Sequence, residues 1–309
     1  MLTRLNLTLF LLLFTGYGLA DVEYFSADPA ALPFDDYIHV VDTRDSPVEQ
    51  VWIKSADGAY VAAAVRKPQG QGPFPVMVMF HGAPGGRGME QLVGWSRGDH
   101  GGPVWERFLQ EGYVVIVADY RGGDWNAVNQ PTEAGFATAI DDGLAVIDYA
   151  RSLPYADSDD VSVYGVSLGG NLVMYLASLV TDLHAVVVGA PFPVWFLGAT
   201  LGDELATGTM SDLAIDREVA EANIARVQTP VLILVGTEDP IKPLTEKLYE
   251  EMSRAGKDVR MEVYEHGYHD FVLGPQGHTR PDLPEGEKLM QIGLDALERT
   301  LAFVRSGRL

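Results

Sequence analysis

One serine of the chain stands in the setting of a nucleophile. Ser167 lies between Gly165 and Gly169, after the β-branched and aromatic run 161–166 and before the apolar, helix-forming run 172–180. A strand, the pattern Gly-x-Ser-x-Gly and a helix, in this order, form a nucleophile elbow, which holds the serine at the tip of a sharp turn. Glycine on both sides has a mechanical reason, because a residue without Cβ lets strand and helix approach each other. We therefore predict that Ser167 is a nucleophile.

A serine hydroxyl is a poor nucleophile unless a base lies within hydrogen-bond reach and a third group orients that base. After the elbow, Glu238 and Asp239 follow one apolar run, and His266 and His269 follow the next. The order of serine, acid and histidine is the one that an elbow requires. Asp239 is the predicted acid, because Pro240 stiffens the adjoining chain, and Glu238 is the alternative. His269 is the predicted base, with His266 as the alternative.

A tetrahedral intermediate of acyl transfer carries negative charge on the former carbonyl oxygen, so two backbone N–H groups should point at that oxygen. Leu168 follows the nucleophile at the start of a helix, whose dipole favours an anion. The pattern His-Gly-x-Pro at 81–84 follows an apolar run, and its third residue is Ala83. We predict an oxyanion hole formed by Ala83 and Leu168, with His81 as a residue that orders the loop.

Apolar runs alternate with amphipathic stretches along most of the chain. Continuous apolar runs are typical of strands buried on both faces of a parallel sheet, and their alternation with helices indicates right-handed crossovers. The sequence thus predicts an α/β fold: a doubly wound, mostly parallel sheet with an antiparallel N-terminal edge, in one domain over residues 21–309. The predicted strands are 37–41, 51–54, 60–66, 75–80, 113–118, 161–166, 185–189, 230–235 and 259–264, and the predicted helices are 104–111, 139–153, 172–180, 244–255 and 287–304.

The segment 192–228 interrupts this alternation after the sixth strand. It is too long for a plain connection, and we interpret it as a short, cap-like helical excursion over the carboxyl edge of the sheet, where such folds bind their ligands. In one interpretation Trp195, Phe196 and the loop near Trp125 line an acyl or alcohol pocket. In the other they are ordinary core aromatics.

The first twenty residues differ from the rest. Arg4 precedes the largely apolar run 5–14, and small residues follow up to Ala20. This pattern predicts a secretory signal peptide over residues 1–20, and hence a secreted or periplasmic protein. An uncleaved N-terminal anchor is the alternative, although the apolar run is short for a membrane span.

The chain of 309 residues has a formal net charge of −21, or −22 without Arg4. A surface of this sign repels nucleic acid and anionic membranes, so neither is an expected partner. The chain has no cysteine, which excludes disulfides and thiolate metal sites. No metal and no organic cofactor is expected, and the expected ligand is a small-molecule ester or a short peptide.

Taken together, these motifs resemble the α/β-hydrolase superfamily, and within it the catalytic domain of the prolyl oligopeptidase family and the dienelactone-hydrolase-like esterases. The resemblance implies that Ser167, Asp239 and His269 form a catalytic triad. It also implies that Ala83 and Leu168 are the oxyanion donors and that 120–122 is mainly structural. It covers roughly residues 48–305 and is carried by 81–84, 119–123, 141–142, 147–148, 165–170, 236–239 and 269–271.

The chain departs from these relatives in three ways. It has no room for the propeller domain of prolyl oligopeptidases, it has no cysteine to act as the nucleophile of dienelactone hydrolases proper, and the usual His-Gly-Phe is His-Asp-Phe at 269–271. We therefore expect a secreted serine hydrolase that cleaves carboxylic esters through an acyl-enzyme. The alternatives are a peptidase of the same fold that acts on short peptides and a catalytically silent hydrolase fold that serves in binding.

Overall fold

A computed structural model describes residues 38–40, 46–97, 104–122, 133–269, 271–273 and 286–307. The predicted signal peptide at 1–20 lies outside these residues and stays a prediction. Among the described residues, no helix combines the length and the apolar character that a bilayer crossing requires.

The described strands form a single sheet in the order β1-β2-β3-β5-β4-β6-β7-β8-β9. Strands β1, β2 and β3 pair antiparallel, β3 pairs antiparallel with β5, and every later pair is parallel. The predicted antiparallel N-terminal edge and parallel body are therefore confirmed. The strands are β1 (Ile38–Val40), β2 (Val48–Lys54), β3 (Tyr60–Arg66), β4 (Phe74–Phe80), β5 (Val114–Ala118), β6 (Ala156–Val166), β7 (Val186–Gly189), β8 (Val231–Gly236) and β9 (Val259–Tyr264).

The five predicted helices are present, with bounds that differ by up to six residues. The helix predicted at 139–153 begins at Glu133, the helix of the elbow begins at Leu168 as expected, and Met89–Ser96 is a helix that the sequence analysis did not predict. The helices are α1 (Met89–Ser96), α2 (Val104–Gln110), α3 (Glu133–Ser152), α4 (Leu168–Leu179), α5 (Glu204–Thr207), α6 (Arg217–Arg226), α7 (Lys242–Arg254) and α8 (Gly286–Ser306), with 3-10 turns at Met210–Asp212 and Phe271–Leu273.

Alternate residues of the central strands belong to two different apolar layers, because successive side chains of a strand point to opposite faces of the sheet. On one face, Val76, Val78 and Phe80 of β4 join a cluster that includes side chains of α3, α4 and α7. On the other face, Met77 and Met79 join a cluster that includes side chains of α1, α2 and α8. The sheet is thus covered by helices on both faces, as a doubly wound fold requires.

The excursion 192–228 follows the seventh strand, β7, and not the sixth as predicted. It contains α5, a 3-10 turn and α6, and its buried side chains belong to the same apolar cluster as those of α3 and α4. Phe196 joins the excursion to the helix of the elbow, α4, and also to α6 of the excursion itself. The Phe196 N–H donates to Oδ1 of the buried Asn171 at 3.2 Å, and the Phe196 carbonyl accepts from Nδ2 of Asn223 at 2.9 Å.

Candidate active site

Ser167 has backbone angles that few non-glycine residues adopt. It lies between the last residue of β6 and the first of α4 with φ 54° and ψ −116°, and only 7% of its surface is exposed. The surrounding backbone holds this conformation, since the Ser167 N–H donates to the Gly189 carbonyl at 3.0 Å and its carbonyl accepts from the Phe192 N–H at 2.8 Å. Strained angles of this kind cluster at functional sites. The structure therefore contains the predicted elbow.

The two glycines of the elbow are required by close packing. A Cβ at Gly165 would lie 2.3 Å from the carbonyl oxygen of Gly169, and a Cβ at Gly169 would lie 2.4 Å from the carbonyl oxygens of Phe80 and His81. Real Cβ atoms do not approach backbone this closely. The elbow can therefore pack against the end of β4 only with glycine at both positions.

Asp239 and His269 form a pair at the carboxyl edge of the sheet. Nδ1 of His269 lies 3.0 Å from Oδ2 of Asp239, and both side chains are buried. The other carboxylate oxygen of Asp239 accepts the Ile241 N–H at 2.9 Å, which fixes the orientation of the carboxylate. A histidine held through Nδ1 presents Nε2 for proton transfer.

The two alternatives occupy different surroundings. Glu238 is exposed, and its carboxylate lies 3.3 Å from the hydroxyl of Thr237. Nε2 of His266 lies 3.6 Å from the exposed carboxylate of Glu265, and its backbone N–H donates to Thr237 at 2.8 Å. The geometry thus favours Asp239 and His269 over Glu238 and His266. Asp270, next to the predicted base, lies outside the described residues.

The segment after the base is held by the strand of the nucleophile. The Tyr164 hydroxyl donates to the Val272 carbonyl at 2.9 Å, three residues before Ser167 and three after His269. Burial raises the pKa of Tyr164, so its phenol keeps the proton that it donates. Sequence analysis did not identify this tether, because its acceptor is a main-chain group.

The predicted oxyanion loop lies against the nucleophile. A Cβ at Gly82 would lie 3.2 Å from Cβ and 3.8 Å from Oγ of Ser167, so the backbone of the loop passes directly beside the serine side chain. Ala83 is the next residue and is buried, and Leu168 is the buried first residue of α4. Both predicted donors therefore lie in segments adjacent to Ser167.

His81 is fixed by a buried carboxylate that sequence analysis did not single out. Its Nε2 lies 3.0 Å from Oδ1 of Asp119, which also accepts the N–H groups of Gly86 and Tyr120, both at 2.8 Å. Burial raises the pKa of Asp119, but the hydrogen bond and charge of His81 and the backbone N–H groups outweigh it, so the pKa lies below its ordinary value. The sequence did carry one signal for this pairing: His81 directly follows β4 and Asp119 directly follows β5, so both lie at the carboxyl ends of strands.

The motif 120–122 has a structural part, as the resemblance implies. The guanidinium of Arg121 bridges Asp57 in the β2–β3 turn and the fully buried Asp142 of α3, with contacts of 2.7 Å and 2.5 Å. The Tyr120 hydroxyl donates to the His81 carbonyl at 2.9 Å. These bonds connect the hairpin, α3 and the loop after β4.

The aromatic residues of the excursion are placed differently from one another. Phe196 is fully buried in the core, whereas Trp195 is partly exposed and lies 4.8 Å from the ring of Phe136. Trp125 lies outside the described residues. In the described part of the chain, no three His, Asp or Glu side chains are arranged to hold a metal ion.

Residues 61–278 match the dienelactone hydrolase family. The chain is 31% identical over 160 residues to the quorum-quenching protein AidA of Acinetobacter baumannii (strain MDR-ZJ06), a match that covers 51% of this chain and 49% of that protein. It is 25% identical over 181 residues to the acylamino-acid-releasing enzyme of Arabidopsis thaliana, covering 51% of this chain and 24% of that enzyme. The chain therefore spans half or less of the length of these two relatives.

The same fold is found in a solved structure, the putative dienelactone hydrolase from Klebsiella pneumoniae subsp. pneumoniae MGH 78578. The two superpose with a TM-score of 0.57 at 19% identity, over 84% of this chain and 98% of the other. The α/β-hydrolase fold and the suspected resemblance are thus confirmed. Since the family match extends over most of the chain, this protein belongs to the dienelactone hydrolase family of hydrolases.

Proposed function

We propose that the protein is a secreted serine hydrolase that cleaves carboxylic esters through an acyl-enzyme on Ser167. The observation that carries this proposal is the strained Ser167 at the same sheet edge as the hydrogen-bonded Asp239 and His269. Family membership supports the choice of bond, because a lactone is a cyclic ester.

In the acylation step, Oγ of Ser167 attacks the ester carbonyl carbon while Nε2 of His269 takes the hydroxyl proton. Asp239 accepts the Nδ1–H and stabilises the imidazolium that forms. The N–H groups of Ala83 and Leu168 stabilise the negative oxygen of the tetrahedral intermediate. His269 then returns the proton to the alcohol oxygen as the carbon–oxygen bond breaks, and the acyl group remains on Ser167.

Deacylation repeats these steps with water. His269 takes a proton from water as the water oxygen attacks the acyl carbon, and it returns the proton to Oγ of Ser167 as the carboxylic acid leaves.

A substrate panel tests the choice of bond. We expect p-nitrophenyl esters and simple lactones to turn over faster than aminoacyl and prolyl amides. Faster turnover of the amides would replace the esterase proposal by the peptidase alternative, which the similarity to the acylamino-acid-releasing enzyme favours. Turnover of neither class, together with binding of the same compounds, would favour a silent binding protein.

The proposed base has a matched control three residues away in the sequence. His269→Ala should lower kcat/KM by about 10⁴-fold or more, because a member of a catalytic triad is removed. His266→Ala should stay within a few-fold of the wild type, since its side chain lies near Glu265 rather than Asp239. A reversed order of the two variants would transfer the role of base to His266.

Secretion follows from the N-terminal pattern alone. Expression of the full chain with a C-terminal tag, fractionation and N-terminal sequencing should yield a mature protein that begins at Asp21. A tagged protein that keeps Met1 and stays in the cytosol would contradict this part of the proposal.

A further inference from the structure

Both ring nitrogens of His81 lie beside oxygen atoms. Nδ1 lies 2.7 Å from the Gly82 carbonyl oxygen, and Nε2 lies 3.0 Å from Oδ1 of Asp119. Carbonyl and carboxylate oxygens accept hydrogen bonds, so a ring that serves both oxygens carries a hydrogen on each nitrogen. In that form its bond to the Gly82 carbonyl is charge-assisted.

The carbonyl that His81 holds belongs to a particular peptide. The C=O of Gly82 and the N–H of Ala83 are the two ends of one amide plane, and that N–H is the proposed oxyanion donor. A hydrogen bond to the oxygen of an amide draws electron density from its nitrogen, and hydrogen bonds in such a chain strengthen one another. A donor on the Gly82 oxygen thus makes the Ala83 N–H a stronger donor.

The imidazole ring of His81 is held by two aromatic rings and by a carboxylate that is itself hydrogen-bonded. It stacks on the ring of Tyr120 at 4.7 Å and lies 5.3 Å from that of Trp95. Asp119 is held by the N–H groups of Gly86 and Gly88 at 2.8 Å and 3.0 Å. The ring therefore approaches the Gly82 carbonyl from a position that stacking and hydrogen bonds hold in place.

Among the described residues, Arg87 is a second basic residue at this loop. The guanidinium of Arg87 donates to the carbonyl of Ala83 and lies 5.8 Å from the ring of Trp95. Its acceptor belongs to the following peptide, between residues 83 and 84, which carries no N–H because residue 84 is proline. Arg87 can therefore hold the loop but cannot act on the Ala83 N–H in the way that His81 does.

We propose that His81, anchored by Asp119, is a positioning residue that polarises and orients the Gly82–Ala83 peptide, and that it thereby strengthens the oxyanion hole. This inference rests on the proposed acyl-enzyme function. This role differs from ordering of the loop. The Nδ1 bond of His81 would stabilise the oxyanion in the transition state, whereas a loop-ordering residue would only keep the loop folded.

Two substitutions separate the two ring nitrogens. The amide nitrogen of Asn is spaced from the backbone like Nδ1 of His, and that of Gln is spaced like Nε2. His81→Asn therefore keeps a donor for the Gly82 carbonyl and loses the bond to Asp119, whereas His81→Gln keeps the bond to Asp119 and loses the donor for Gly82. Each variant is measured for kcat and KM on a p-nitrophenyl ester, for inhibition by a trifluoromethyl ketone and for its melting temperature.

We expect His81→Gln to lower kcat by about tenfold, with KM within about twofold of the wild type. This is less than the roughly 10² to 10³ for loss of a whole oxyanion donor, because the Ala83 N–H is weakened and not removed. The inhibition constant of the ketone, which forms an oxyanion on Ser167, should rise by a similar factor. His81→Asn should retain more kcat than His81→Gln. A merely loop-ordering His81 predicts the reverse order, and that result would overturn the inference.

A measurement on the wild type covers the case in which neither variant folds. Nitrogen-15 spectra should show a bonded hydrogen on both ring nitrogens of His81, and a ring nitrogen without hydrogen would contradict the inference. Failure of the proposed function has a separate sign, namely a wild type that neither hydrolyses esters nor reacts with the ketone. If the wild type is active and His81→Gln is equally active, the role of His81 is contradicted while the proposed function stands.

Discussion

Two histidine–aspartate pairs lie at the same edge of the sheet as Ser167, and they use opposite ring nitrogens. Asp239 holds His269 through Nδ1, whereas Asp119 holds His81 through Nε2. In the proposed mechanism the first arrangement leaves Nε2 of His269 for proton transfer, whereas the second places Nδ1 of His81 at a main-chain carbonyl. The same two residue types thus serve different tasks, because the attached nitrogen decides where the remaining one points.

The buried Asp119 predicts a dependence of stability on pH. Its pKa in the folded protein lies below the ordinary value of 3.8, so its contribution to the free energy of unfolding is present above that pH and is lost as the pH falls through the folded-state pKa. Asp119→Asn cannot titrate in this range. We therefore expect the difference in unfolding free energy between wild type and Asp119→Asn to shrink from pH 6 towards pH 3.

Urea unfolding of both proteins at several pH values measures this difference. The comparison cancels the titration of the other carboxylates, which both proteins share. A difference that stays constant between pH 6 and pH 3 would show that Asp119 gains nothing from its charge in the folded state.

At the scale of elements, the loops of the site are held by side chains from the elements beside them. Tyr164 of β6 holds the segment after His269, and Arg121 after β5 connects the β2–β3 turn with α3. Asn171 of α4 holds the excursion through Phe196. Tyr164 and Arg121 lie near the carboxyl ends of β6 and β5, and Asn171 lies in the first turn of α4, directly after β6 and Ser167. The scaffold and the site therefore share the same edge of the sheet.

Arg121 offers a matched pair of variants, because its two acidic partners differ in burial. The Asp142 side chain is fully buried, while that of Asp57 is 43% exposed. Asp142→Asn should lower the free energy of unfolding by about 3 kcal/mol or more, since it leaves a partly buried cation without its buried counter-charge. Asp57→Asn should cost less than about 1 kcal/mol, as is usual for exposed ion pairs. Chemical denaturation measures both, and equal losses would contradict the importance of burial.

At the scale of the whole molecule, the sheet could be predicted because its strands are continuous apolar runs. The run 75–80, for example, differs from the observed Phe74–Phe80 by one residue. Helix α1 was missed because Gly85, Gly86 and Gly88 precede it and mask the apolar spacing of Met89, Leu92 and Val93. Its weak signal lay in that spacing of three and four residues.

The site could be predicted where one stretch of chain carries the chemistry, as at Ser167. The pairing of His81 with Asp119 could not be predicted in this way. It requires that β4 and β5 are neighbours in the sheet, although α1 and α2 separate them along the chain. The tether from Tyr164 and the hydrogen bond between Asn171 and Phe196 end on main-chain groups, which no side-chain pattern records. Tertiary contacts of this kind are specified by topology rather than by local sequence.

Reaction with a fluorophosphonate, followed by peptide mass spectrometry, tests most directly whether Ser167 is the nucleophile. We expect a single adduct, on the peptide that contains Ser167, and no labelling of Ser167→Ala. An adduct on another residue, or undiminished labelling of Ser167→Ala, would contradict this role of Ser167.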